Sequence, residues 1–334
     1  MAPTSSGGEA ALSVRDLHVA YATPGGMLGA VDGVSFDLAR GESLGVVGES
    51  GCGKSTMGKA LMQLLPPGAE MSGSVVLDGE ELVGTSARTL RRVRGDRMSL
   101  VFQEPMTRLD PLMKVSDHFV EAIRAHRPRT PKADARRMAR EALANMGIPP
   151  TRADNYPHEF SGGMRQRIMI ALGIVMQPAV VIADEPTTAL DVIVEAQILD
   201  LLDRLRSDEE VGLILITHNL GIVAETCDRV AVMYAGRIVE IGPVEEVFAA
   251  PAHPYTQGLL RSVISVDTTE LASIDGSPPN LIDPPDGCRF APRCDQRFED
   301  CPVVDPVLGQ VTPATRAACL LHPTAYPART EVAS

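Results

Sequence analysis

The stretch Gly48-Glu49-Ser50-Gly51-Cys52-Gly53-Lys54-Ser55-Thr56 restricts the folds open to this chain more than any other. It fits G-x-x-x-x-G-K-[ST], a loop whose glycines let backbone N–H groups close around a phosphate. The run before it, Ser43 to Val47, is apolar and bounded by glycines, as a buried strand is. The run after it, Met57 to Leu65, reads as a helix that Pro66-Pro67 stops. Strand, glycine loop and helix in that order aim N–H groups and the positive end of a helix at one point. Gly48, Gly51 and Gly53 keep Cβ atoms away from the bound group. Lys54 is placed to reach the β- and γ-phosphates, and the Ser55 hydroxyl to bind Mg²⁺. Glu49, Ser50 and Thr56 complete the expected nucleotide-binding set, and at Cys52 only the backbone is needed. The expectation is a nucleotide site.

At 334 residues the chain suits one large domain or two smaller ones. With 44% hydrophobic and 22% charged residues it has a globular composition, neither disordered nor membrane-spanning. The long apolar stretch Ile168 to Met176 is too short to cross a bilayer. Met1 to Gly8 lacks the basic and apolar regions of a signal peptide. A cytoplasmic chain is expected, with any membrane role exerted through partners. A net charge of −12 argues against nucleic acid as a partner, which would need a basic stripe. The basic run Arg88 to Arg97 reads as a solvated face ahead of a strand.

Residues 1–11 are small and polar, and are expected to be disordered. Leu12 to Tyr21 alternates like a half-buried strand, and Ala30 to Leu38 reads as a second. Gly73 to Leu77 is a short strand closed by the turn Asp78-Gly79. Such hairpin-like strands predict an antiparallel layer beside the nucleotide-binding core. Met98 to Phe102 is a strand, followed by a helical insert with segments Val115–His126 and Ala133–Met146. A helix follows Ser161-Gly162-Gly163. Val180–Ala183 and Gly212–Thr217 read as fully buried strands, with helices over Val192–Arg206 and Leu220–Cys227. Arg229–Tyr234 and Arg237–Ile241 make a terminal hairpin. Strands alternating with helices predict an α/β parallel sheet. Beyond Pro251 the prolines mark a linker and a small loop-rich unit, which needs a staple to hold its shape.

Asp184 and Glu185 end an apolar strand, where one carboxylate can hold Mg²⁺ and the next can polarise a water for attack on phosphorus. Ser161-Gly162-Gly163-Met164 opens a helix with a hydroxyl and two glycines, a second anion-binding helix start. Lying between the phosphate loop and the Asp-Glu strand end, it is diagnostic.

In this order the landmarks resemble an ATP-binding subunit of an ABC transporter. Tyr21 fits the aromatic residue that stacks on adenine, Gly48 to Thr56 is Walker A, and Gln103 stands at the Q-loop. Phe160-Ser161-Gly162-Gly163-Met164 is the signature motif, and Val180 to Glu185 is Walker B. Ala189-Leu190-Asp191 is the D-loop and His218 the switch histidine. Met164 departs from the usual glutamine of the signature, a departure that itself resembles the peptide importers. The resemblance implies a P-loop ABC fold over 12–250, with a RecA-like core, an antiparallel β layer and a helical subdomain at about 105–160 that grips membrane subunits. It also implies a head-to-tail dimer closing two ATP molecules between the P-loop of one half and the signature of the other. Ser55, Gln103 and Asp184 would hold Mg²⁺, Glu185 would be the catalytic base, and Lys54 and His218 would hold the γ-phosphate. Asp191 would link the sites across the interface.

The tail, 251–334, narrows the branch. His253-Pro254-Tyr255-Thr256, Gly276 to Leu281 and Gly287-Cys288-Arg289-Phe290-Ala291-Pro292-Arg293-Cys294 are similar to the C-terminal region of oligopeptide/dipeptide importer ATPases, most of all the D-type subunit of a D/F pair. The implied partners are two permeases, a second, F-type ATPase and an extracytoplasmic solute-binding protein, on the cytoplasmic face of the membrane. Branch members also carry nickel, glutathione, opines or oligosaccharides. A soluble ABC ATPase acting on DNA or ribosomes is the alternative outside transport; the single cassette, short helical insert and acidic balance argue against it. A non-catalytic partner cassette is disfavoured by Glu185 and His218. Cys288, Cys294, Cys301 and Cys319 match tail positions that bind a [4Fe–4S] cluster in some members. Four thiolates also suit Zn²⁺, and free structural thiols are the third reading.

Overall fold

A computed structural model describes residues 10–101, 109–187, 192–262 and 273–327. The chain divides into two compact units. The first contains the residues up to Leu12, Asp37–Ser43 and Val76–Leu215; the second contains Ser13–Phe36, Leu44–Val75 and the chain from Ile216 onward.

Long strands β1 (Ala10–Thr23) and β2 (Gly26–Ala39) lead to β3 (Ser43–Val47). β1 begins inside the segment expected to be disordered: Ala10 and Ala11 already belong to it, and Ala11 is buried. Helix α1 (Lys54–Leu61) starts three residues before the expected Met57 and ends short of Pro66. Gly53, in the left-handed region, is what starts it there; the prolines merely follow it. Next come β4 (Ala69–Leu77), β5 (Glu80–Glu81) and α2 (Ala87–Val93). The basic run thus begins as a short helix, capped by the Ser86 hydroxyl accepting from Thr89 N–H at 3.2 Å. Its last arginine, Arg97, turns back to Glu80 and to the Leu77 carbonyl at the β4–β5 turn, whose Asp78 also pairs with Arg40. β6 (Met98–Val101) follows, then α3 (Val115–His126) and α4 (Lys132–Asn145), the two helices of the insert. Their apolar stripes, Val115, Phe119 and Ile123 on one and Ala135, Ala139 and Leu143 on the other, are buried and spaced for one helix face.

α5 (Gly162–Ile174), β7 (Val180–Asp184), α6 (Val192–Glu209) and β8 (Gly212–Ile216) complete the first unit apart from the last residue of β8. Every residue of β7 and β8 is buried, which is why both read as unbroken apolar runs rather than alternating ones. In this unit the strand order is β8-β7-β6, with β6 and β7 parallel in the register Met98↔Val180 to Val101↔Ala183. The end of β4 pairs antiparallel with β5, Val76↔Glu81 and Leu77↔Glu80, as the Asp78-Gly79 turn requires.

In the second unit, α7 (Leu220–Thr226) precedes β9 (Arg229–Tyr234) and β10 (Arg237–Pro243), the predicted hairpin. α8 (Val244–Ala249) and α9 (Pro254–Arg261) follow, then the two-residue strands β11 (Gly309–Gln310) and β12 (Arg316–Ala317). The order is β11-β12-β10-β9-β3, with β3 parallel to β9 from Leu44↔Arg229 to Val47↔Val232. The tail therefore extends the sheet through β12, which pairs with β10 at Glu240↔Ala317 and Ile241↔Arg316. β12 and α9 lie in the stretch read from the sequence as linker and loop. Only two residues of β12 pair, and α9 has Pro254 at its first position, so neither leaves a long periodic pattern.

His253 caps α9: its Nδ1 accepts the Tyr255 N–H at 3.0 Å, and the ring is 1% exposed. Burial first, and neighbouring His322 second, push its pKa from an ordinary 6.5 down to about 3. The folded chain keeps this ring neutral while the unfolded chain takes up a proton below pH 6.5. Stability is therefore full above that pH and falls as the pH drops toward 3, by about 1.4 kcal/mol per pH unit for one proton. Asn at this position keeps the capping acceptor and removes the titration. Urea unfolding at pH 6 and pH 5 should show His253→Asn losing about 1.4 kcal/mol less stability than the parent over that interval. Equal losses would mean that the ring is protonated in the fold.

Candidate active site

The glycine loop leaves β3 at the carboxyl end of a parallel strand pair, where such folds hold ligands. Gly48 and Gly53 have φ of 151° and 105°. A Cβ on Gly48 would collide with the Met233 carbonyl, and one on Gly53 with the Ala30 carbonyl, so each is held to glycine by space as well as by conformation. α1 has no side-chain cap and no acidic residue in its first turn, which leaves its leading N–H groups for an anion. Lys54, 6% exposed, donates from Nζ to the Gly48 and Glu49 carbonyls at 2.7 and 3.0 Å and lies 3.8 Å from Cys52 Sγ. Burial raises the Cys52 thiol's pKa despite the opposing charge of Lys54, so it stays a thiol. Thr217 N–H donates to the Val46 carbonyl at 3.1 Å, which brings the next residue, exposed His218, out at the same strand end as the loop. Tyr21 is half-buried near the end of β1.

The tail meets this loop within the same unit. Arg293, 4% exposed, makes a two-pronged ion pair with Glu49: Nη1 to Oε2 at 2.7 Å and Nη2 to Oε1 at 3.0 Å. Tyr255 Oη accepts the Glu49 N–H at 2.9 Å. Tyr234, Tyr255 and Phe290 pack ring against ring beneath, with centroids 4.6 to 5.4 Å apart. Arg289 donates to the Ala235 carbonyl at 2.5 Å and pairs with Asp32, which also takes Arg237 at 2.8 Å and His18 at 2.9 Å. Burial alone would raise the Asp32 pKa; hydrogen bonding and charge from Arg237, with Arg289 and His18, bring it below the usual carboxylate range. The turn beside this network donates Gly236 N–H to the Cys52 carbonyl at 2.9 Å.

In the first unit, β7 delivers Asp184 and Glu185 to the carboxyl end of its parallel pair with β6. Asp184 is 6% exposed. Glu185 has φ of 47°, a left-handed backbone that costs a side-chain-bearing residue about 1–2 kcal/mol. Ser161 caps α5, its hydroxyl accepting from Met164 N–H at 3.3 Å. Gly162 is exposed, and a Cβ on Gly163 would press on Val194 of α6. The signature loop is braced from behind by Arg152, which lies 4.3 Å from the centre of the Phe160 ring and donates to Met164 Sδ at 3.5 Å. Gln103, Ala189, Leu190 and Asp191 lie outside the described residues.

Residues 31–188 match the ABC transporter family, and residues 239–301 match the C-terminal region of oligopeptide/dipeptide transporters. The chain is 49% identical over 304 residues to the dipeptide transport ATP-binding protein DppD of Bacillus subtilis (strain 168), covering 89% of this chain and 90% of that one. The chain belongs to the ABC transporter family. It is a transport ATPase, and falls in the branch of oligopeptide and dipeptide transport ATP-binding proteins. The oligopeptide transport ATP-binding protein OppD of Salmonella typhimurium (strain LT2) is 45% identical, with 92% of each chain covered. Among solved structures, the dimeric bacterial ABC transporter cassette MJ0796 aligns with a TM-score of 0.63 at 25% identity, over 70% of this chain and 98% of that one.

The four tail cysteines of this ABC ATPase lie in one module. Cys288 N–H donates to the Cys301 carbonyl at 2.8 Å, and Cys301 packs with Ala291 and Leu320. Burial raises the thiol pKa of Cys288, Cys294 and Cys319, that of Cys319 to about 11; Cys301 adds to all three shifts, Cys294 also to that of Cys288, and Cys288 and Cys294 also to that of Cys319. Among the described residues no group of three or more His, Cys, Asp or Glu side chains is set to hold a metal ion, so the structure lends the expected [4Fe–4S] or Zn²⁺ site no support. His322 sets its Nε2 3.1 Å from the Ala252 carbonyl. Also among the described residues, no helix is long and apolar enough to cross a membrane.

Arg293, Arg289, Tyr255 and Asp32 were given no role by the sequence. A signal existed: a carboxylate inside a phosphate loop calls for a counter-charge, and arginines four apart in Cys288–Cys294 are candidates to supply it.

Proposed function

We propose that this ABC ATPase drives the uptake of oligopeptides or dipeptides through two permease subunits, pairing head to tail with a second, F-type ATPase at the cytoplasmic face of the membrane. The observation that supports the cargo is the match of residues 239–301 to the oligopeptide/dipeptide transporter tail. A solute-binding protein outside the membrane delivers the peptide.

In this reading Lys54 and the N–H groups of the Gly48–Thr56 loop, apart from that of Glu49, which Tyr255 takes, hold the triphosphate, and Tyr21 stacks on adenine. The hard oxygen donors of Ser55, Gln103 and Asp184 hold Mg²⁺, which offsets phosphate charge when bound. Glu185 takes a proton from water as the water oxygen bonds to the γ-phosphorus; the bond from that phosphorus to the β,γ-bridging oxygen breaks and ADP leaves. His218 orients the γ-phosphate. Ser161, Gly162, Gly163 and Met164 close on the partner's ATP, and Asp191 couples the two sites. Phosphate charge holds the dimer closed, so hydrolysis opens it.

The test is uptake into vesicles carrying the purified permeases, both ATPases and the binding protein. Peptides of two to five residues should be accumulated with ATP. Accumulation of nickel, glutathione or an oligosaccharide in place of peptide would overturn the cargo. A [4Fe–4S] cluster on Cys288, Cys294, Cys301 and Cys319 is a separate proposal, which rests on the resemblance of these four positions to the cluster-binding tail cysteines of some branch members. Iron and acid-labile sulfide in protein purified without oxygen would support it, and a colourless preparation lacking both would rule it out.

A further inference from the structure

A glutamate in a phosphate loop is an electrostatic liability. Glu49 follows Gly48 directly, and an unpaired carboxylate there would repel a triphosphate carrying several negative charges. In this structure the carboxylate is 27% exposed, and both of its oxygens are taken by the guanidinium of Arg293. Arg293 is fixed in turn: Nε donates to the Asp275 carbonyl at 2.8 Å, Nη2 to the Ile274 carbonyl at 3.1 Å, and Nη1 lies 3.4 Å from Tyr234 Oη. The Glu49 N–H is given to Tyr255 Oη, so Glu49 is tied to the tail through main chain and side chain together.

We propose that Arg293 is a positioning residue for ATP binding: it neutralises Glu49 and draws its carboxylate away from the phosphates, so that the tail completes the P-loop. The inference rests on the P-loop as the ATP site, and adds that a residue 244 positions away in the chain sets the charge of that site. Tyr255 fixes the loop main chain. The segment Cys288–Cys294 is a clamp whose two arginines hold Glu49 and Asp32.

Three variants of the full-length chain test this by equilibrium ATP binding: Arg293→Gln, Glu49→Gln and the two combined. Arg293→Gln frees the carboxylate and should raise the Kd for ATP about tenfold or more, a deficit that shrinks as salt is added. Glu49→Gln removes the carboxylate that needs neutralising and sets the reference affinity against which the double variant is read. The decisive result is the double variant, which should return to the affinity of Glu49→Gln, because the group that needed neutralising is gone. An arginine that merely staples the tail would leave the double variant as weak as Arg293→Gln, and that result would overturn the proposal. Unchanged affinity in Arg293→Gln would do the same. Should Arg293→Gln fail to fold, Arg293→Lys takes its place: one charge without the fork gives a smaller loss, which Glu49→Gln must again relieve. Lys54→Met, assayed alongside, separates the two readings. If it binds ATP normally, the P-loop assignment has failed rather than the clamp.

Discussion

Glu185→Gln should lower steady-state ATP turnover by about 10²–10⁴-fold, the usual worth of a general base, while ATP affinity stays within a few-fold of the parent. The two amino acids have the same shape, so β7, buried throughout, is not disturbed. What changes is the ability to take a proton from water as the γ-phosphorus is attacked. In the proposed mechanism the substitution removes a negative charge from the site and does not weaken binding, so the variant should accumulate as an ATP-bound closed dimer. Single-turnover hydrolysis and size-exclusion chromatography with ATP measure the two halves of this expectation. Turnover near the parental rate would mean that another group is the base.

Lys54→Met should raise the Kd for ATP by a factor of about 100 or more with the fold intact. Lys54 is a buried cation whose hydrogen bonds to protein go to two loop carbonyls and, weakly, to a neutral thiol. A buried ammonium costs several kcal/mol in lost hydration, and two carbonyls return only part of that. Methionine fills nearly the same space without the charge. The unfolding midpoint should therefore hold or rise, while the loss of a charge-assisted phosphate contact costs about 2–5 kcal/mol in binding. Nucleotide titration followed by thermal unfolding checks both signs. Loss of the fold together with binding would show that Lys54 is structural.

The α/β core was legible because its strands are buried on both faces and carry continuous apolar runs, as in β3, β7 and β8. The helices of the insert were legible from their stripes, and α3 runs from Val115 to His126 as expected. Less was legible where short-range signals compete. The start of α1 is set by the conformation of Gly53, which a proline downstream does not reveal. The first turn of the basic run is a helix because Ser86 caps it, a signal that a string of arginines obscures. The tail was least legible. Its order comes from Glu240, buried in β10, whose carboxylate accepts Ala252 N–H at 2.7 Å and His253 N–H at 3.0 Å and so seats α9. It comes also from the ion pair of Arg293 with Glu49, a contact between residues far apart in the chain that no local pattern announces.

The central claim is that this ATPase works in a membrane importer, and the most direct measurement is its capture in mild detergent from the membranes of its native cell, with every co-purifying protein identified. Two multi-span permeases, a second ABC ATPase and an extracytoplasmic solute-binding protein should co-purify with it. Recovery from the soluble fraction alone, bound to ribosomes or DNA, would contradict the claim.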